Sequence, residues 1–492
     1  MTGAMTARRW LFPVLALCIA TACQQRPDKG PVVVSAIGGR PAFVDINKRG
    51  ADETQQLLLD STAQGLVRFD AAGQIEPGLA ERWNVIDAGR TYIFRLREAE
   101  WSDGAKVTAT DVATILKRAI APTSRNSLKP FLSAIDDIAV MTDAVIEVRL
   151  SRPRPDLLKL FAQPELSILR QKPLGGTGPF RVAATGGTGI LLNPAIDPVR
   201  SPDDEVQAPS PEQDVRLIGE SAARALIRFA AKQSDYVAGG TVTDFPLIAR
   251  AQIAPANIKL DQAAGLFGLA VVRREGLLAS AGGRAALAQA IDRPALIAAF
   301  TSDWGQPVER LLPDKLDSIS PPAIPTWSTL APDARLSAAR AEVARYRAAG
   351  GAAPVIRIAL PSGPGGTLLY GQIAARLILI GVQPVRTAMN ENADVRLIDA
   401  IAPYDSARWY LATACVVCSD EARTALEAAR DAPDTATRGQ HIAEADGLLA
   451  SDVAFIPLAT PLRWSLVSLR LKQWQGNARG WHPLNHLRAD TN

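Results

Sequence analysis

Gly65-Leu66-Val67-Arg68-Phe69-Asp70 opens an ordered series of short segments from which the rest of the chain can be read. Pro77-Gly78-Leu79-Ala80-Glu81-Arg82-Trp83 follows, then Tyr92-Ile93-Phe94-Arg95-Leu96-Arg97, Trp101-Ser102-Asp103-Gly104 and Thr108-Ala109-Thr110-Asp111-Val112. Leu66, Val67 and Phe69, before Asp70 and Gly73, read as a short strand ending in a turn. Tyr92, Phe94 and Leu96 alternate with Thr91, Ile93, Arg95 and Arg97, the period of a half-buried antiparallel strand. Ser102-Asp103-Gly104 has turn chemistry, because Asp can bond its own backbone and Gly tolerates positive φ. Thr110 is placed to cap a helix with Val112, Ile115 and Leu116 on one face. Asp103 and Asp111 then serve a turn and a first helical turn, and not a catalytic carboxylate pair.

Further along, Val32 to Ala36 reads as a strand, while Glu53 to Leu66 fits helix or strand equally. Gly175-Gly176-Thr177-Gly178-Pro179-Phe180-Arg181-Val182 is a turn entering a strand, and the proline-rich stretch from Pro194 to Asp214 is a surface loop. Helices are expected over Ser221–Lys232, over Ala285–Phe300 with a break before Pro294, and over Leu336–Ala349. Val355–Leu360, the glycine-rich Ser362–Gly366, Thr367–Ile380 and Val382–Val385 form a strand–loop–helix–strand unit. That loop lacks the Gly-Lys-Ser/Thr ending and the three-glycine fingerprint, so an ordinary α/β turn accounts for it better than a phosphate site.

The ordered series resembles the peptide/nickel/oligosaccharide group of extracytoplasmic solute-binding proteins, which feed ABC importers. The Gly175–Val182 segment and the helix ending Ala290-Ile291-Asp292-Arg293 are similar to signatures of the same group. The resemblance covers nearly all of the chain after Cys23, through Phe455-Ile456-Pro457-Leu458 and Trp464-Ser465-Leu466-Val467. It implies an α/β, two-lobed periplasmic-binding-protein fold of type II, with an additional α/β domain inserted in the first lobe. The corresponding division is 31–60 with 172–258 and 452–492 for lobe I, 61–171 for the extra domain, and 259–451 for lobe II. A ligand in the cleft would select a closed state that a membrane permease recognises.

Arg8-Arg9, the apolar run Trp10 to Ala22 and the following Cys23 describe a secretion signal over 1–22. The run is 13 residues, short of the about 20 that span a bilayer. Ala20-Thr21-Ala22-Cys23 resembles a bacterial lipobox, with Ala20 where Leu is usual. It implies lipidation at Cys23 and a linker over 23–30, against the alternative of a plain signal-peptidase site near Ala22. The expected location is the periplasm, lipid-anchored. The chain has 492 residues, 54 basic and 50 acidic side chains, and 47% hydrophobic residues. Such a length exceeds a single core, and so even a charge balance leaves no footprint for nucleic acid.

His441, His482 and His486 are the only histidines, and Pro483 spoils an i, i+4 pair between the last two. Neither a His-Glu-x-x-His nor a Gly-x-Ser-x-Gly signature is present, so the chain does not read as an enzyme, and no cofactor is expected. Cys415-Val416-Val417-Cys418 lies between a strand expected over Trp409–Thr413 and a helix over Glu421–Ala429, the local setting of a thioredoxin-type pair. Export favours a local disulfide Cys415–Cys418, with free buried thiols and redox or metal chemistry as alternatives. Zinc would need two further ligands, so no metal site is assigned.

Within the resemblance, ligand-binding residues are assigned to Tyr236, Gly239, Gly240, Thr241, Arg273, Asp405, Trp409 and Tyr410. The alternatives are core packing for the aromatics and a tight turn for the glycines. Peptide-binding members carry an acid three residues after a Trp comparable to Trp409, where it meets the peptide's amino group; here that position is Ala412. A free-amine peptide would therefore need Asp405 or Asp420 as substitute. Arg273 and Arg274 stand where relatives have Asn and would suit a carboxylate or phosphate. Peptide, opine-like anion, sugar and metal chelate remain open. The implied partners are such a solute, an ABC permease/ATPase complex and the membrane surface, with the chain a monomer. The competing readings are a sensor or accessory lipoprotein of the same fold without transport, and a thiol-disulfide protein.

Overall fold

The structure is a computed structural model that describes residues 29–487, apart from Pro155, Thr188, 196–209 and Lys315. The secretion signal, Cys23 and most of the proline-rich loop lie outside the described residues. Val32–Ile37 runs parallel to Val215–Glu220 on one side and to Tyr236–Thr241 on the other. Its Val-Val-Val-Ser-Ala sequence is buried on both faces, as a central parallel strand requires. Phe180–Gly186 and Gly189–Pro194 extend one edge, and Leu462–Val467 and Ile258–Gln262 the other, giving seven strands.

A second sheet of five strands is ordered Gln383–Thr387, Val355–Ala359, Val395–Ile401, Gly265–Val271 and Phe455–Ala459. The expected α/β unit is its outer part: Val355–Ala359 pairs in parallel with Gln383–Thr387, joined by the Pro364–Leu379 helix. Gly365, in the first turn of that helix, serves a close approach between the two bodies. The Gly365 amide donates to the Thr243 carbonyl at 2.8 Å, and a Cβ there would lie 1.9 Å from the Val242 oxygen.

Two strand pairs carry the chain between the sheets. Ile258–Gln262 belongs to the first and Gly265–Val271 to the second, with only Ala263 and Ala264 between them. Phe455–Ala459 and Leu462–Val467 make the return, separated by Thr460 and Pro461. The expected lobe boundaries at 258/259 and 451/452 are corrected by this pairing: Ile258–Gln262 lies in the first sheet and Phe455–Ala459 in the second. The boundary was misplaced because each crossover is nearly one continuous strand, with no turn sequence to mark it.

The third sheet falls inside the first body in sequence. Its strands are ordered Ala80–Ile86, Thr91–Leu96, Val145–Leu150 and Ile135–Thr142, all antiparallel. Tyr92, Phe94 and Leu96 are buried in alternation, against Val112, Ala113 and Leu116 of the Ala109–Ile120 helix. That helix is capped by Thr108 and not by Thr110, because only Thr108 has an acid three residues on. Thr108 Oγ1 accepts from the Asp111 amide while the Asp111 carboxylate accepts from the Thr108 amide. The ambiguous stretch after Asp52 is a helix, Glu53–Thr62, opened by a reciprocal box between Asp52 and Gln55.

Trp409–Thr413 is not a strand. It lies within the helix Ala407–Ala414, whose first amide donates to Asp317 Oδ1 at 2.7 Å. Trp409, Tyr410 and Leu411 are all buried, and a short run buried all round carries no period to separate helix from strand. Cys415 and Cys418, joined as a disulfide, therefore link two helices and do not follow a strand. The thioredoxin-like setting expected for the pair is absent.

Candidate functional site

Between the two large sheets, beside the crossovers, lies a cleft of about 470 Å³. Its first-body wall is built by Tyr236–Thr241, the start of the Glu53–Thr62 helix, and Trp464-Ser465 on the returning strand. Tyr236 is 1% exposed; its hydroxyl meets Ser465 Oγ at 3.3 Å and its ring meets His482 edge-on. Burial raises the phenol above its ordinary pKa, with the Ser465 hydrogen bond opposing, so it stays neutral. Gly239 and Gly240 form an irregularity in the ladder to the returning strand, with Gly239 at φ +81°. A Cβ on Gly240 would lie 2.2 Å from the Trp464 ring and 2.3 Å from its carbonyl oxygen. Only glycine lets that indole lie flat against the strand, where its Nε1 donates to the Thr241 carbonyl at 2.8 Å.

The facing wall is Ala400–Pro403 with Trp409 and Thr413. Trp409 is 5% exposed and meets Tyr410 edge-on at 4.9 Å between centroids. Tyr410 does not reach the cleft; it packs into the core shared with the third sheet. The structure thus brings together Tyr236, Gly239, Gly240, Thr241 and Trp409 of the expected set.

Arg273 is not with them. It lies near Asp394 (3.9 Å) and Glu275 (3.6 Å), away from the cleft. Arg274 binds Asp452 and the Val417 carbonyl. Asp405 is also outside the lining, between Lys159 Nζ at 2.6 Å and the Arg479 guanidinium. Burial pushes its carboxyl up, yet Lys159 and Arg479 together hold it below the usual carboxylate range. Asp420 opens the helix after the disulfide and pairs with Arg423, also outside the lining.

Residues that the sequence did not single out carry the charge of the cleft. Arg463 is bonded to Asp399 at 2.7 Å, and Arg479 to Asp405 while lying over the Phe69 ring. Asp261 accepts from the Asn477 amide and meets His482 Nε2 at 3.0 Å, fixing the C-terminal segment across one end. Glu165 accepts from Gln56 Nε2 at 2.9 Å, and burial raises its carboxyl. Glu53 accepts no hydrogen bond from any described residue. Its carboxyl is raised to about 7, chiefly by burial; Arg463 opposes the shift, and Asp52 and Glu165 add to it. The signal for Glu53 was its place right after Asp52 and three residues before Gln56, in a stretch that periodicity left unassigned. Among the described residues no group of three or more His, Cys, Asp or Glu is placed to hold a metal ion. No helix among them is long and apolar enough to cross a membrane.

The family model of bacterial extracellular solute-binding proteins, family 5 (middle region), matches residues 74–350, and the chain belongs to that family. It is 32% identical over 144 residues to the probable deoxycholate-binding periplasmic protein YgiS of Escherichia coli K12, covering 26% of this chain and 27% of the relative. It is 33% identical over 122 residues to the periplasmic oligopeptide-binding protein OppA of the same organism, covering 21% and 22%. These matches thus span about a quarter of either relative's length. The fold extends much further: Haemophilus influenzae OppA in complex with RPPGFSPFR superposes with a TM-score of 0.75 at 17% identity, over 94% of this chain and 98% of that one. The architecture is accordingly the two-lobed type II binding-protein fold, with the third sheet as the additional domain.

Proposed function

We propose that this chain is the extracytoplasmic solute-binding component of an ABC importer, capturing a small polar solute between its lobes and presenting it to a membrane permease. The observation that carries the reading is the cleft itself: a space between two α/β bodies, lined by Tyr236, Trp409 and Trp464 among polar and charged side chains, with paired crossover strands running from one sheet to the other. Such a joint lets one body rotate against the other while each sheet stays intact. Aromatic faces and backbone groups bind solute without chemistry, so the chain is a binder and not an enzyme. Family membership and the periplasmic names of the relatives support an extracytoplasmic site of action; attachment through Cys23 is supported by the Ala20-Thr21-Ala22-Cys23 sequence alone, and the chain is taken to act as a monomer.

Native mass spectrometry of freshly purified full chain, with X-ray scattering before and after solute removal, tests this. The expected result is one solute per chain and a smaller radius of gyration in its presence. A chain that releases no solute, and whose scattering is unchanged by any added metabolite pool, overturns the reading.

A further inference from the structure

The charges around the cleft do not cancel, and the imbalance has a definite place. Arg463 and Arg479, the two arginines in the lining, are bonded to Asp399 and Asp405 from the layer behind. Asp261 is held by His482 and the Asn477 amide, and Glu165 by Gln56. Glu53 alone among these acids has no hydrogen-bonding partner among the described residues. Its Cβ and Cγ lie against Gly239, in the centre of the first-body wall. The lining around it also includes the aromatic side chains of Tyr236, Trp464 and Trp409.

Resting on the solute-binding reading, we propose that the cleft takes a solute bearing an organic ammonium group, and that Glu53 is the residue that pairs with it. An unpaired carboxylate in a half-buried wall is unfavourable until a cation arrives. Aromatic faces attract ammonium groups, whereas a divalent ion takes six or more oxygens, and no group of three or more His, Cys, Asp or Glu among the described residues is placed to hold one. The groups facing Glu53 are Arg463 from the returning strand, Asp52 from its own helix start and Glu165 from the adjacent short helix. Arg463 is the strongest of these charges at Glu53, but its guanidinium donates to Asp399 and not to Glu53, which leaves the Glu53 carboxylate without a direct cation partner. The raised carboxyl has a consequence for binding. Near pH 5.5 Glu53 in the empty cleft is protonated, and an arriving ammonium must displace that proton; near pH 7.5 it is mostly ionised. Amine affinity should therefore rise roughly 20-fold between those values, the ratio set by a group titrating near 7.

The test uses the full chain freed of co-purified solute and two probe panels in calorimetric titration. The first holds trialanine, trilysine, cadaverine and spermidine; the second holds N-acetyl-trialanine, succinate, glutarate, glucose and calcium ion. The expected result is binding confined to the amines, rising with pH as above, and weakened at least tenfold in Glu53→Gln with the pH slope lost. Glu53→Asp should restore part of both. Binding confined to the second panel overturns the ammonium assignment while leaving solute capture standing. Amine binding unchanged in Glu53→Gln, or absent from wild type, overturns it too; the mass and scattering measurements judge solute capture separately.

Discussion

Glu53 in the first-body wall and Asp405 behind the second face the same question and answer it in opposite ways. Asp405 has two cations within bonding distance, Lys159 from the additional domain and Arg479 from the C-terminal segment, and its carboxyl is held low. Glu53 has none, and burial holds its carboxyl high. Asp405 is therefore part of the scaffold tying three portions of the chain together, while Glu53 is left for something that arrives from outside. A carboxylate's availability to ligand is set by what lies behind the wall, and sequence position does not report it.

The firmest support for this contrast is that the first-body wall is fixed in place. Gly240→Ala puts a methyl group into the Trp464 ring and carbonyl, both of which must move. Urea unfolding should show a loss of about 3 kcal/mol. A variant as stable as wild type would mean that the wall yields, and that Glu53 can swing to a protein partner. On the other side, Asp405→Asn leaves Arg479, whose side chain is 7% exposed, without its carboxylate. Because Asp405 is itself 39% exposed, the expected loss is about 2 kcal/mol, below that of a fully buried pair. Its folded pKa lies below the unfolded value, so this stabilisation is present above the unfolded value and fades as pH falls through the folded one. Equal stability of variant and wild type at pH 7 would remove the scaffold role.

The disulfide gives a smaller effect. Cys415 and Cys418 close a ring of few residues at the end of the helix that carries Trp409. Reduction should cost no more than about 2 kcal/mol, from the small loop. If it instead abolished solute binding with the fold intact, the second wall would be the adjustable one and the contrast would reverse.

Much of the fold was legible from period and punctuation. The alternation from Thr91 to Leu96 and the strand–helix–strand unit after Val355 were readable because each element has one buried face. The Ala407–Ala414 helix was not, since its Trp-Tyr-Leu run is buried on every side. The cap at Thr108 was readable in principle: of two threonines, only one has Asp three positions later. In the cleft, Tyr236, Gly239, Gly240, Thr241 and Trp409 were named from residue type and family pattern, and they line it. Tyr410, Asp405 and Arg273 lie outside the cleft: Tyr410 turns into the core shared with the third sheet, and the partners of the other two lie 74 residues away at Arg479 and 121 residues away at Asp394. Pairings at that separation leave no trace in local sequence.

The smallest expected effect tests the contrast most directly, because its sign is opposite to that of Asp405→Asn. A carboxylate whose folded pKa exceeds the unfolded value contributes nothing below both, where it is protonated in each state. As pH rises past the ordinary Glu value of 4.5, the unfolded chain ionises first and the folded state loses ground, until the folded group ionises near 7. Above that point the penalty is constant. Glu53→Gln removes it, so the solute-free variant should match wild type at pH 4 and exceed it at pH 8. Solvent at the cleft mouth screens the group, which reduces the expected gain to about 1 kcal/mol. Urea midpoints at the two pH values read it out. A variant less stable than wild type at pH 8 would mean that Glu53 already holds a favourable partner within the protein. The two walls would then be alike in their use of charge.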